Sequence, residues 1–192
     1  MKKDIILAGV GGQGILTIAS VIGNAAVNNN LYLKQSEVHG MSQRGGDVQS
    51  HLRLSDKPIF SDLIAEGTAD IIISVEPMEA LRYLPFLKKD GMVITNTVPF
   101  NNIVDYPNEE ELTLQINNLP NKVAINADQI AKDLLSPRSS NIVILGAATP
   151  FLDIPIEEFE KSLQILFGRK GEEIVAANIK ALRAGYKLAL EK

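Results

Sequence analysis

The stretch Asp4-Ile5-Ile6-Leu7-Ala8-Gly9-Val10-Gly11-Gly12-Gln13-Gly14 decides the fold. Ile5, Ile6 and Leu7 form a short unbroken apolar run, the pattern of a strand buried on both faces of a parallel sheet. Gly9, Gly11 and Gly14 then fit G-x-G-x-x-G, and an apolar helical pattern follows at once. In that motif Gly9 is expected to permit a sharp turn, Gly11 to let the backbone approach a ligand, and Gly14 to let the helix lie against the strand. Free N–H groups of Gly11, Gly12, Gln13 and Gly14 at the helix start would face an anion, most often a phosphate. Taken alone, the motif fits glycines that serve only helix-on-strand packing equally well.

Outward from this unit the chain alternates strands and helices. Ile15, Leu16, Ile18, Ala19, Ile22, Ala25 and Ala26 recur at helical spacing, and Asn28-Asn29-Asn30 closes the helix. Residues 31–35 read as a second strand, 36–46 as a polar loop, and 47–54 as a strand with one wet face carrying Gln49 or Ser50 with Arg53. Residues 70–74 and 91–96 are further apolar strands, with a helix between them that opens at Glu76-Pro77, runs to Leu87 and is bent or ended by Pro85. A short helix with acids in its first turn spans 109–117 after an irregular stretch at 99–107. Residues 122–126 form the last strand, followed by helices at 127–134, 141–152, 156–167 and 171–190. The expected fold is α/β: a single Rossmann-like domain over residues 1–192, with a mostly parallel sheet flanked by helices and a C-terminal helical segment.

Composition narrows the function. With a net charge of −4, 5% aromatic residues and no Trp, the chain lacks the basic footprint and stacking surface of a nucleic-acid binder. It contains no cysteine, so it offers neither disulfides nor thiolates for an iron–sulfur cluster, and no persuasive metal site is visible. No apolar run reaches the ~18 residues of a membrane helix, and no signal-peptide pattern precedes the first strand; a soluble, cytoplasmic chain is expected.

The segment Ser36-Glu37-Val38-His39-Gly40-Met41-Ser42-Gln43-Arg44-Gly45-Gly46 has the composition of a working loop. Gly40, Gly45 and Gly46 allow close backbone approach, and Arg44, backed by Ser42 and Gln43, could clamp a carboxylate or phosphate bidentately. A surface ion pair is the plainer use of an arginine. His39 and His51 are the chain's two histidines, each as readily a structural hydrogen-bonding group as a proton carrier. Glu37 is the one acid near the place where a dinucleotide site holds a ribose hydroxyl, which keeps a free-standing NAD(P)- or FAD-binding reductase as the alternative reading.

Gly9 to Leu16, then Ser36 to Gly46 with Val48 and Ser50-His51-Leu52-Arg53, resemble the gamma subunit or domain of 2-oxoacid:ferredoxin oxidoreductases, in particular the beta subunit of the indolepyruvate enzymes. The resemblance continues in Gly67-Thr68-Ala69-Asp70, in Glu76-Pro77-Met78-Glu79-Ala80-Leu81-Arg82, in Asn141 to Ala147, and in Asn178 with Gly185. It implies an accessory subunit, inactive alone and without a catalytic residue of its own. Such a subunit would complete the active site and dock a larger catalytic alpha subunit that carries thiamine diphosphate, magnesium and iron–sulfur clusters. The complex would convert a 2-oxoacid to an acyl-CoA, with coenzyme A as co-substrate and ferredoxin as electron acceptor. Gly46-Asp47-Val48 departs from the Gly-Asp-Gly opening of a thiamine diphosphate magnesium motif, in keeping with cofactors held elsewhere. The isolated chain could pair as a homodimer.

Overall fold

The computed structural model describes residues 1–39 and 45–191, with His39 described by its backbone alone. Strand β1 (Lys2–Val10) lies inside a six-stranded sheet with β2 (Tyr32–His39), β3 (Asp47–Ser55), β4 (Ala69–Ser74), β5 (Leu87–Asn96) and β6 (Lys122–Ile125), in the order β2-β3-β1-β4-β5-β6. β1, β4, β5 and β6 run parallel, whereas β3 is antiparallel to both β1 and β2. The expected mostly parallel α/β architecture is therefore present, with an antiparallel hairpin added at one edge. Ile5, Ile6 and Leu7 are all buried because both faces of the parallel part are covered.

One face packs against α1 (Ile15–Asn28), α4 (Ala127–Asp133), α5 (Ser140–Ala148), α6 (Ile156–Phe167) and α7 (Glu172–Leu190), through a core that includes Ile5, Leu7, Ile73 and Ile94. The other face carries Ile6, Ala8, Ile72 and Val93 against Ala80 of α2 (Pro77–Arg82) and Tyr83, and α3 (Glu109–Asn117) lies beside α2. Side chains cap the short helices: Glu76 accepts from Glu79 N–H, Asn108 from Glu110 and Glu111 N–H, and Asn126 from Gln129 N–H.

Three boundaries differ from the sequence reading, each for a reason of packing. Residues 36–39 belong to β2 and not to a loop, because β3 supplies a continuous antiparallel ladder in which Ser36 faces His51, Glu37 faces Ser50 and Val38 faces Gln49. The helix after Pro77 ends at Arg82, and Pro85 sits in a 3-10 turn, Leu84–Phe86, that feeds directly into β5. The buried helix near 141–152 stops at Ala148, with Pro150 in a second 3-10 turn.

The wet face expected on β3 is covered as well. Residues 56–68 fold across it, held by Arg53 Nη1 donating to the carbonyls of Ser61 (3.1 Å) and Leu63 (3.0 Å). Arg53 also makes a two-point pair with Asp4, Nε to Oδ1 at 2.7 Å and Nη2 to Oδ2 at 3.0 Å. Burial raises the Asp4 carboxyl, but Arg53 and Lys2 outweigh it and hold the group below its usual range.

Helices α5 and α7 approach backbone to backbone. A Cβ built at Gly146 would stand 2.0 Å from the Leu182 carbonyl oxygen, and one at Gly185 would stand 1.9 Å from that of Val143. A side chain at either position would force α5 and α7 apart, so these glycines are demanded by contact and not by backbone angle. Gly146→Ala is expected to destabilise the chain by at least about 2 kcal/mol in urea unfolding, the cost of overpacking a rigid contact.

Candidate functional site

The chain leaves β1 over one face of the sheet, through α1, and leaves β4 over the opposite face, through α2. This reversal opens a crevice at the carboxyl ends of β1 and β4, where α/β sheets bind ligands. Three segments meet there: the glycine loop after β1, Val75-Glu76 after β4, and Asn96 at the end of β5. A cavity of about 170 Å³ lies between Gln13, Val75, Asn96, Phe100, Asp128 and Asn141.

The glycine loop has a different internal logic from the one its motif suggests. Gly9 stays within the β1 ladder, and its lack of a side chain is needed because a Cβ would stand 2.4 Å from Val75 Cγ2. Gly11 approaches the hairpin backbone: its N–H donates to the Gly46 carbonyl at 2.8 Å, and Gly45 N–H returns to the Gly11 carbonyl at 3.4 Å. Gln13 folds back so that its Oε1 accepts from Val10 N–H at 2.8 Å, while its own N–H bonds the Val10 carbonyl at 3.1 Å. Gly14 takes the left-handed conformation, φ 85°, and a Cβ there would meet Asn141 Nδ2 of α5 at 2.3 Å. Gly14 thus seats α1 against α5, and Asn141 Nδ2 donates to its carbonyl at 3.2 Å.

The two loops singled out in the sequence are therefore joined at one end of the sheet. Gly11, Gly12, Gln13 and Gly14 form one side of the junction, and Gly45 and Gly46 form the other. Gly40, Ser42, Gln43 and Arg44 lie outside the described residues, and of His39 only the backbone position at the end of β2 is described. Ser36 and Glu37 lie on β2, and one carboxylate oxygen of Glu37, Oε2, is buried without a hydrogen-bond partner among the described residues. Because β3 intervenes between β1 and β2, Glu37 does not stand at the tip of the strand beside the glycine strand, where a ribose-binding acid belongs.

Gln13 apart, sequence reasoning gave no site role to the polar residues that line the crevice. Asn96 Nδ2 donates to Asp128 Oδ2 at 2.7 Å and Asn96 Oδ1 accepts from Ala127 N–H at 3.1 Å, tying β5 to the start of α4. Asn102 Nδ2 donates to the Gly45 carbonyl at 2.8 Å, so the stretch at 99–107 reaches across to the hairpin. Glu76 is fully buried and accepts from the Tyr106 hydroxyl and from Phe100 N–H (3.3 Å). Its one visible signal was its place before Pro77 at a helix start, which accounts for a cap and not for the contacts across the crevice.

A glycine loop at the switch point of the sheet, bonded to an adjacent hairpin beside a crevice, defines the chain as a Rossmann-like α/β module. The chain belongs to the pyruvate ferredoxin/flavodoxin oxidoreductase family, whose model matches residues 4–188. It is 37% identical, over 99% of its length and 96% of the relative's, to the indolepyruvate oxidoreductase subunit IorB of Archaeoglobus fulgidus. Among solved structures it matches the keto/oxoacid ferredoxin oxidoreductase gamma subunit of Geobacter sulfurreducens, with a TM-score of 0.71 and 25% identity over 99% of both chains. It also matches the 2-oxoglutarate:ferredoxin oxidoreductase of Magnetococcus marinus, solved with 2-oxoglutarate, coenzyme A and succinyl-CoA, with a TM-score of 0.78 and 24% identity; it spans 31% of that longer chain.

The donor set here does not fit the metal groups of such an enzyme. The chain has no cysteine to ligate an iron–sulfur cluster. Among the described residues no group of three or more His, Asp or Glu is placed to hold a metal ion, and no helix is long and apolar enough to cross a membrane.

Of the two histidines, His51 is structural. It is buried, its Nδ1 accepts from Ile64 N–H at 2.9 Å, its Nε2 lies 2.7 Å from the Gln49 side-chain amide, and Phe86 packs edge-on at 5.4 Å. With Nδ1 serving as acceptor, a neutral ring carries its proton on Nε2, and it pairs with Gln49 once the amide turns so that its oxygen replaces the nitrogen now facing the ring. Burial first, and then the Arg53 guanidinium, hold its pKa below the ordinary value. The unfolded chain therefore takes up this proton more readily, and stability falls as pH drops below about 6.5. The urea midpoint is expected to fall between pH 8 and pH 5, and His51→Gln is expected to flatten that slope relative to the parent.

Proposed function

We propose that this chain is the small accessory subunit, of beta or gamma type, of a 2-oxoacid:ferredoxin oxidoreductase that takes indolepyruvate or a related arylpyruvate. The observation that carries the reading is the end-to-end match to an indolepyruvate oxidoreductase subunit by a chain whose own donor set cannot hold a redox cluster. The complex so proposed oxidatively decarboxylates the 2-oxoacid, uses coenzyme A as co-substrate, passes electrons to ferredoxin and works in the cytoplasm. Thiamine diphosphate, magnesium and the iron–sulfur clusters belong to the larger alpha subunit.

The part of this chain is to complete the active-site cavity and to dock that subunit through the end of the sheet where the glycine loop meets the hairpin. Gly11 and Gln13 N–H are already used within this junction, which leaves Gly12 and Gly14, without a partner among the described residues, as the N–H donors of the loop for an anionic group. Arg44, with Ser42 and Gln43, meets the partner or an anionic part of coenzyme A or substrate. Leu16, Phe100, Ile103 and Val104 are exposed apolar side chains on the glycine-loop helix and the neighbouring 99–107 stretch. Apolar surface of this kind is what a stable interface covers.

Replacing Arg44 tests the hairpin directly. In the reconstituted complex Arg44→Ala is expected to weaken either subunit assembly or turnover by about tenfold, the loss of one charge-assisted contact. Unchanged assembly together with unchanged turnover would remove the role given to this loop.

A further inference from the structure

Residues 97–107 cross from the end of β5 to the start of α3 as a strap along the mouth of the crevice. Thr97 N–H donates to the Ile125 carbonyl at 2.9 Å, and Phe100 supplies part of the cavity wall. At its middle the strap is tied to the hairpin by Asn102 and Gly45; the other two ties, from Phe100 N–H and the Tyr106 hydroxyl, converge on one oxygen, Glu76 Oε1.

Glu76 is an odd choice for a helix cap. Its second oxygen caps α2 by accepting from Glu79 N–H at 2.8 Å, a task that Ser, Asp or Asn performs as well. A fully buried carboxylate is costly unless donors surround it. Among the described residues no cation is paired with it: the nearby Arg82 is engaged with Glu79, Nε to Oε2 at 2.9 Å. Its donors among the described residues are neutral, and two of these come from the strap. Ser74 fixes the backbone beneath, its hydroxyl donating to the Glu76 carbonyl at 2.6 Å and its Oγ accepting from Glu76 N–H at 3.2 Å. The carboxylate thus stands at a set height at the switch point, with one oxygen for the helix and one for the strap.

We propose that Glu76 is a positioning residue whose Oε1, by accepting from Tyr106 and Phe100, latches the 97–107 strap across the crevice and so sets how tightly the co-substrate is held. The inference rests on the reading above in placing the co-substrate at this crevice. A latched strap has lost its conformational freedom before the ligand arrives, so binding does not have to order it. Burial and the Glu76 bond raise the Tyr106 phenol above its ordinary value, so the latch keeps its proton throughout the neutral range.

Three substitutions separate latch from cap. Tyr106→Phe removes one donor and leaves the ring. Glu76→Asn keeps an acceptor for the α2 cap but is too short to serve the strap as well. Glu76→Gln keeps the reach but has a single acceptor oxygen, which serves the strap or the α2 cap and not both at once. Amide hydrogen exchange of the full chain reads the strap, and steady-state kinetics of the complex with its catalytic subunit reads the site.

Tyr106→Phe and Glu76→Asn are expected to speed exchange in the 97–107 segment by about tenfold or more, with β4 protection retained, and Glu76→Gln, with its one oxygen, to lie between them and the parent. In the complex the first two are expected to raise KM for coenzyme A by about fivefold with kcat within about twofold, which a general loss of structure would not do. Parent-like exchange of the strap in Tyr106→Phe would overturn the latch. A loosened strap with unchanged KM would overturn its link to the co-substrate. If the parent complex shows no coenzyme A dependent turnover, the functional reading fails, while the exchange result still decides the latch.

Discussion

The site depends on the register of β1 against β3. Gly9 faces Val48 and Val10 faces Asp47, so the strand that ends in the glycine loop and the strand that begins after the hairpin share one end of the sheet. The ladder continues past the last paired residues as Gly11 N–H to the Gly46 carbonyl at 2.8 Å. A one-residue slip would reverse every side chain of β3, placing Leu52 and Leu54 away from α1 and undoing the Asp4–Arg53 pair. Core packing and the placement of the two loops are thus one constraint.

That constraint also explains why a fold with a dinucleotide-type glycine loop is not built as a dinucleotide fold. The strand after α1 does not return to lie beside β1; it becomes the outer member of a hairpin, with β3 inserted between. The glycine loop gives part of its hydrogen-bonding capacity to its own chain, and Gln13 closes it from within. What remains faces a polar crevice formed by Asn96, Asp128 and Asn141 and bordered by a strap. On the function proposed above, this is the part of the chain that would face another subunit.

Much of this was legible in the sequence. The apolar runs at β1, β4 and β5 could be read because strands buried on both faces have no other composition, and the two long C-terminal helices because amphipathic spacing is a local property. The loops that meet at the switch point were also identified, since glycines clustered with Arg and His stand out. The antiparallel hairpin was not legible: Ser36-Glu37-Val38-His39 carries no strand pattern of its own and is extended only because β3 is there to pair with it. His51, Arg53 and Glu76 were seen as residue types, but their partners lie on segments distant in sequence. Ile64 meets His51, Ser61 and Leu63 meet Arg53, and Phe100 and Tyr106 meet Glu76. Long-range polar contacts leave no periodic trace, which is why the strap was read as an irregular stretch.

The central claim is that this chain acts only as part of a larger oxidoreductase. The most direct measurement is 2-oxoacid and coenzyme A dependent reduction of a ferredoxin-like acceptor by the chain alone, by the larger subunit proposed to hold the cofactors alone, and by the two combined. Full activity is expected only in the combination. Activity of this chain alone with a nicotinamide cofactor would contradict the account and restore a free-standing reductase.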